Sequence, residues 1–165
     1  MALEFVPAAL KTLELCFEAI QHDGKALKHV PKNIQTPELT LTAARQDGSA
    51  LRYVHKELIT NELCMIAVQQ DGSALFYVPS EFITTELCIE AVKQDSLALE
   101  YVPDEYKMPE LCLEAVKQNF WAFSFVPTEL KTMELCLEAA KHDEFSLDDV
   151  PEELKEIIKT KLGLD

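Results

Sequence analysis

The sequence predicts an all-α fold, an α-solenoid of six 24-residue helix-turn-short-helix repeats with a C-terminal capping helix, and three observations carry that reading. Val-Pro recurs at Val6-Pro7, Val30-Pro31, Val78-Pro79, Val102-Pro103, Val126-Pro127 and Val150-Pro151, with Val54-His55 filling the one gap. Glu14, Glu38, Glu62, Glu86, Glu110 and Glu134, each followed by leucine, keep the same 24-residue step without insertion. Within a unit the apolar residues, such as Leu111, Cys112, Ala115 and Val116, form one helical stripe that Leu113 widens. A single unit cannot bury such a stripe, but stacked copies can.

Thr36-Pro37-Glu38 reads as a helix start, with a hydroxyl at the N-cap, proline at the first helical position and a carboxylate near the positive helix end. Thr12, Thr60, Thr84 and Thr132 hold the same cap position. The long helix is expected to stop at Asp23-Gly24, Asp47-Gly48 and Asp71-Gly72, with glycine in the left-handed conformation. A second, shorter helix then presents Ala74, Leu75 and Val78, and Pro79 ends it. An apolar anchor at Leu10, Ile34, Leu58, Phe82, Tyr106, Leu130 and Leu154 predicts a brief helical turn leading into the next long helix. The whole of 1–165 is expected to form one domain, with 1–11 an N-terminal cap, 12–150 the six repeats and 151–165 a C-terminal cap whose helix buries Leu154, Ile157, Ile158 and Leu162.

With 48% apolar residues the chain has material for a core, and its formal charge of -14 argues against direct contact with nucleic acid or an anionic membrane. The natural partner is a protein with a basic surface. No membrane span or leader is evident, and five cysteines, an odd number, fit a reducing cytoplasm. Acidity is uneven, since residues 1–82 hold 7 basic and 10 acidic side chains and residues 83–165 hold 8 and 19.

The string from Pro109 to Gln118, with its counterparts at Thr85 to Gln94 and Thr132 to His142, resembles short bacterial helical repeats of unknown function built on an ELCLEAVKQ helix and a YVP segment. That resemblance covers nearly the whole chain and implies a helical array without catalytic residues. As a small acidic array the chain also looks like phage-encoded inhibitors of bacterial defence nucleases, the anti-CRISPR type among them. It departs from the repeat at Thr40, where other copies have cysteine, at His55, and at Phe120-Trp121.

Cys16, Cys64, Cys88, Cys112 and Cys136 share one repeat position, and helices stacked about 9 Å apart keep equivalent thiols too distant for a disulfide or a zinc site. They read as small buried hydrophobes, with Thr40 as a substitute. No HExxH, GxSxG, phosphate loop or CxxC occurs, and the glutamates at the helix starts are explained by the helix dipole, so neither enzyme activity nor a cofactor or metal is expected. His22, His29, His55 and His142 read as surface or helix-end residues.

Partner-binding candidates come from departures and from charge. Phe120 stands where other units place Gly24, Gly48, Gly72 and Ser96, and Trp121 where they place Lys25, Ser49 and Ser73, so they are either an exposed interface anchor or a turn repacked against Phe145. Phe76 is a further apolar candidate on the short helix. Asp148, Asp149, Glu152 and Glu153, beside Asp143, Glu144 and Glu156, are either a solubilising cap or a surface imitating nucleic-acid phosphates. The expected function is a non-enzymatic protein-binding module that occludes or scaffolds its partner. The alternative is an acidic inhibitor of a nucleic-acid-processing enzyme.

Overall fold

The computed structural model describes residues 3–141 and 148–163, and among them every regular element is helical. Six long helices start 24 residues apart, α1 (Leu13–His22), α2 (Pro37–Gln46), α3 (Asn61–Gln70), α4 (Thr85–Gln94), α5 (Pro109–Gln118) and α6 (Met133–Ala140), and α7 (Glu152–Leu162) closes the series. The threonine caps hold as read. The hydroxyls of Thr12, Thr36, Thr60, Thr84 and Thr132 each accept the N–H three residues on, at 3.2 to 3.4 Å. Helix α5 follows Met108 and has no side-chain cap, its proline supplying the start.

Between long helices runs a six-residue 3₁₀ helix, at Gly24–His29, Gly48–Tyr53, Gly72–Tyr77, Ser96–Tyr101 and Phe120–Phe125. Three residues per turn align Gly24, Leu27 and Val30 on one face, and all three are buried, whereas Lys25 and Lys28 point out. The expected brief turns also form, among them Lys56–Leu58, Ser80–Phe82, Asp104–Tyr106 and Thr128–Leu130.

The chain divides into two compact units, Met1–Gln94 and Asp95–Asp165. In the first, α1 to α4 pack in order, and the 3₁₀ helices pack on their own long helix and on the next. In the second, α5 packs on α6 and α6 on α7, α5 also lies on both Ser96–Tyr101 and Phe120–Phe125, and α6 lies on Phe120–Phe125. The cysteines form part of these cores. All five are buried at 0% exposure, and Thr40 replaces one by donating its hydroxyl to the Pro37 carbonyl at 2.9 Å.

The corner between long and short helix corrects one expectation. Glycine does not adopt a left-handed conformation there, since Gly163 alone among the described residues has positive φ. The long helix ends instead on an extended aspartate, such as Asp23 (φ -155°, ψ 109°), whose carboxylate accepts the N–H two residues on and so starts the short helix. Glycine is needed for space, because a Cβ at Gly24 would lie 2.5 Å from the Ala43 carbonyl oxygen of the next long helix, and one at Gly48 would meet that of Ala67 closer still.

Both ends also differ from expectation. Leu3 is buried beneath the first short helix, but Phe5, Leu10, Leu13 and Leu15 are exposed. Leu15 is 39% exposed where Leu39, Leu63 and Leu87 are at most 2%, because those three lie under a preceding repeat and Leu15 does not. In α7, Ile158 is fully buried, Leu154 and Leu162 are half-buried, and Ile157 is exposed. A terminal helix packed on α6 alone covers a narrow stripe at every fourth residue, which leaves Ile157 to one side.

Successive repeats are tied by side chains that cap the far end of the next short helix, where the last carbonyls have no partner of their own. Lys11 Nζ donates to the His29 carbonyl at 2.7 Å, Gln35 Nε2 to that of Tyr53 at 3.0 Å, and Lys131 Nζ to that of Asp149 at 2.9 Å. Gln35 does more, since its Oε1 accepts the N–H of His55 at 2.9 Å. Proline has no N–H, so the missing Val-Pro and the glutamine in this column form one device.

Two stability measurements test these contacts. Gly48→Ala is expected to cost about 1–3 kcal/mol in urea unfolding, by overpacking the corner. His55→Pro, whose φ of -65° proline tolerates, should lose the Gln35 hydrogen bond in the native background yet stabilise by about 0.4–1 kcal/mol on a Gln35→Ile background. Additivity of the two substitutions would show that they are uncoupled.

Candidate functional site

The strongest departure from the repeat lies on Phe120–Phe125. Asn119 takes the corner role, its Oδ1 accepting the Trp121 N–H at 3.1 Å, and the 3₁₀ period then buries Ala122 and Phe123 while turning residue 121 outward. Trp121 is 62% exposed, and its ring lies against that of half-buried Phe120, with centroids 5.0 Å apart and planes 31° from parallel. The Ser124 hydroxyl donates to the Trp121 carbonyl, and on the buried side of the turn Lys131 Nζ sits 4.5 Å from the Phe123 ring centroid. Phe120 stands at the corner position that Gly24, Gly48, Gly72 and Ser96 hold in other repeats. Phe145, the packing partner considered for this turn, lies outside the described residues, as do His142, Asp143 and Glu144.

Phe76 belongs to the Met1–Gln94 unit. Its position on the short helix faces outward in every copy, where Lys28, Arg52, Glu100 and Ser124 are its exposed equivalents. It is 64% exposed and packs edge-on against Tyr77 at 5.1 Å. The Arg52 guanidinium lies 5.1 Å from the Tyr53 ring centroid and 5.3 Å from that of Tyr77. Arg52 and the two tyrosines were not singled out by the sequence, although comparing equivalent positions places Lys28, Arg52 and Phe76 in one row.

Asp148, Asp149, Glu152 and Glu153 are all exposed, before and at the start of α7. Lys155 Nζ lies 2.8 Å from Glu152, and its hydrogen bond holds that carboxyl below the usual range. Glu156 pairs with Lys159 at 3.1 Å. The acidic end therefore carries its own counter-charges, and among the described residues Asp148, Asp149 and Glu153 are its exposed carboxylates outside these two pairs. Such exposed pairs contribute little to stability.

The thiols have the electrostatics of a core. Burial pushes Cys64, Cys88 and Cys112 up to about 11 and raises Cys16 and Cys136 as well. Thiols protonated in this way are poor nucleophiles. Of the histidines, His22 is exposed, His55 Nδ1 lies 3.8 Å from Glu57, and His29 has a buried Nε2 without a hydrogen-bond partner. Among the described residues no three His, Cys, Asp or Glu side chains converge as metal ligands. A cavity of about 190 Å³ opens at Asn61, Met65, Phe82, Thr84, Glu86 and Leu87, lined mostly by apolar surface. Among the described residues no helix is long and apolar enough to cross a membrane.

A family model described as a domain of unknown function (DUF4116) matches residues 12–59, 36–83, 60–107 and 86–131, so most windows advance by one repeat and span two. No curated protein and no solved structure matches the chain.

The raised thiols make stability depend on pH in a defined sense. The unfolded chain releases these protons near pH 9 and the folded chain holds them to about 11, so the contribution is complete below pH 9 and is lost as pH rises through 9 to 11. The urea midpoint should fall across that interval, and Cys88→Ala should reduce the slope. At pH 8 a thiol reagent is expected to react with the denatured chain and not with the native one.

Proposed function

The chain belongs to the DUF4116 family, a domain of unknown function, and we propose that it is a non-enzymatic module that binds another protein and acts by occluding or scaffolding it. One observation carries this reading: a tryptophan 62% exposed, lying against a second aromatic ring, at a position where other repeats place Lys25, Ser49, Ser73 and Leu97. An exposed, braced tryptophan supplies large contact area at low entropic cost, which is why such residues dominate interface energetics. The buried thiols support a non-enzymatic role, and five free cysteines fit a reducing cytoplasm. The acidic side chains of the second unit steer a basic partner toward the aromatic anchor.

The alternative, an acidic inhibitor of a nucleic-acid-processing enzyme such as an anti-CRISPR protein, would act through Asp148, Asp149, Glu152 and Glu153. Counter-charges at Lys155 and Lys159 make the aromatic anchor the better-supported surface.

With the chain as bait, a partner captured by the native protein should be lost on Trp121→Ala, and affinity for the purified partner should fall by more than about tenfold, some 1.4 kcal/mol. The helical melt should not change, because the side chain is exposed. Equal affinity in the variant would sink the anchor assignment, whereas loss on reversing Asp148, Asp149, Glu152 and Glu153 to lysine, with Trp121→Ala neutral, would favour the inhibitor reading.

A further inference from the structure

Charge in the Met1–Gln94 unit is separated by layer. Its long helices carry Glu14, Glu18, Glu38, Glu62, Glu86 and Glu90 against Arg45 and Lys93. The layer of short helices and bends carries Lys11, Lys25, Lys28, Lys32, Arg52 and Lys56, of which Lys11 is held on the His29 carbonyl. Its acidic groups are largely engaged. Asp23, Asp47 and Asp71 cap the corners, Asp47 pairs with Lys25 at 3.0 Å, and Glu57 faces His55, leaving Glu4 and Glu81. Among the described residues no carboxylate pairs with Lys28, Lys32, Arg52 or Lys56, and all four are exposed.

These cations are interleaved with aromatic rings. The short helices Gly24–His29, Gly48–Tyr53 and Gly72–Tyr77 pack side by side, so Lys28, Arg52 and Phe76 form a row along the edge. The Arg52 guanidinium lies between the Tyr53 and Tyr77 rings, 5.1 and 5.3 Å from their centroids, and Tyr77 in turn meets Phe76 at 5.1 Å. A guanidinium fixed by ring faces keeps its N–H fork outward without losing rotamer freedom on binding. Lys32 and Lys56 follow on the adjacent bends.

We propose that this edge is a second docking surface, which takes an extended acidic segment of a protein with carboxylates opposite Lys28 and Arg52 and a large apolar side chain opposite Phe76. Packed helices are about 9 Å apart, and a segment in polyproline II conformation has three residues per turn at about 3.1 Å each, so its side chains at every third residue fall on one face in step with the row. A nucleic acid fits less well. A polyanion with a charge on every nucleotide meets repulsion from a chain of net charge -14 and needs more cations than this row supplies. The edge does not depend on Trp121, and its occupant has the opposite charge from the partner steered by the acidic half.

The probe is a blocked peptide with Glu, Glu and Leu at every third position, titrated into the full chain while backbone amide NMR shifts are followed. Shifts are expected at residues 28–32, 52–56 and 76–80, with affinity falling as salt rises from about 50 to about 500 mM. Arg52→Ala combined with Lys56→Ala should weaken binding by about tenfold or more, and Lys28→Ala combined with Lys56→Ala, which leaves the ring stack intact, should also weaken it. Trp121→Ala should have no effect. The proposal is overturned if the shifts fall elsewhere, if a probe with Lys in place of both Glu moves the same amides equally, or if an oligothymidylate binds this edge more tightly than the peptide.

Discussion

The corner between each long helix and its short helix is the contact on which the repeat depends. The chain must leave an α-helix, turn sharply, and begin a 3₁₀ helix while lying against the backbone of the next long helix. Asp23, Asp47 and Asp71 perform the turn by adopting extended geometry and capping the N–H two residues on. Gly24 and Gly48 provide the clearance, because Ala43 and Ala67 of the following helices present carbonyl oxygens where a Cβ would stand. For Asp47, burial raises the carboxyl, but hydrogen bonds from Ser49 and Lys25 outweigh it and carry the group below its ordinary range. The charge that turns the chain is thereby stabilised in place.

A repeat built on so close a contact admits departures in matched sets. His55 has an N–H where other copies have proline, and Gln35 of the preceding repeat receives it. Thr40 brings a hydroxyl to a cysteine position and satisfies it on the Pro37 carbonyl. In each case a change in one element is answered within the same repeat or the next, as expected where neighbours share one interface.

That rule separates the readable part of the surface from the rest. The candidates Phe120 and Trp121 were legible because they break a column of short residues, and Asp148 to Glu153 because they concentrate charge. The cationic edge was not legible in this way. Lys28, Arg52 and Phe76 differ in type, and net charge of the opposite sign conceals them. Only packing of the short helices brings Arg52 over Tyr77 of the next repeat and gives the row its shape.

By itself the sequence determined the 24-residue period, the threonine caps, the long helices and the buried cysteine column. These follow from local hydrogen bonding and from residue spacing along a helix, which are properties of neighbouring residues. Tertiary structure decided why the corner needs glycine, which leucines at the ends stay covered, and that Trp121 faces water. It also decided that Lys11, Gln35 and Lys131 close the next short helix. For the corner glycines, the end leucines and the capping side chains the physical reason is common: each depends on an atom of the adjoining repeat, 18 or more residues away, whose position is set by packing and not by the local chain.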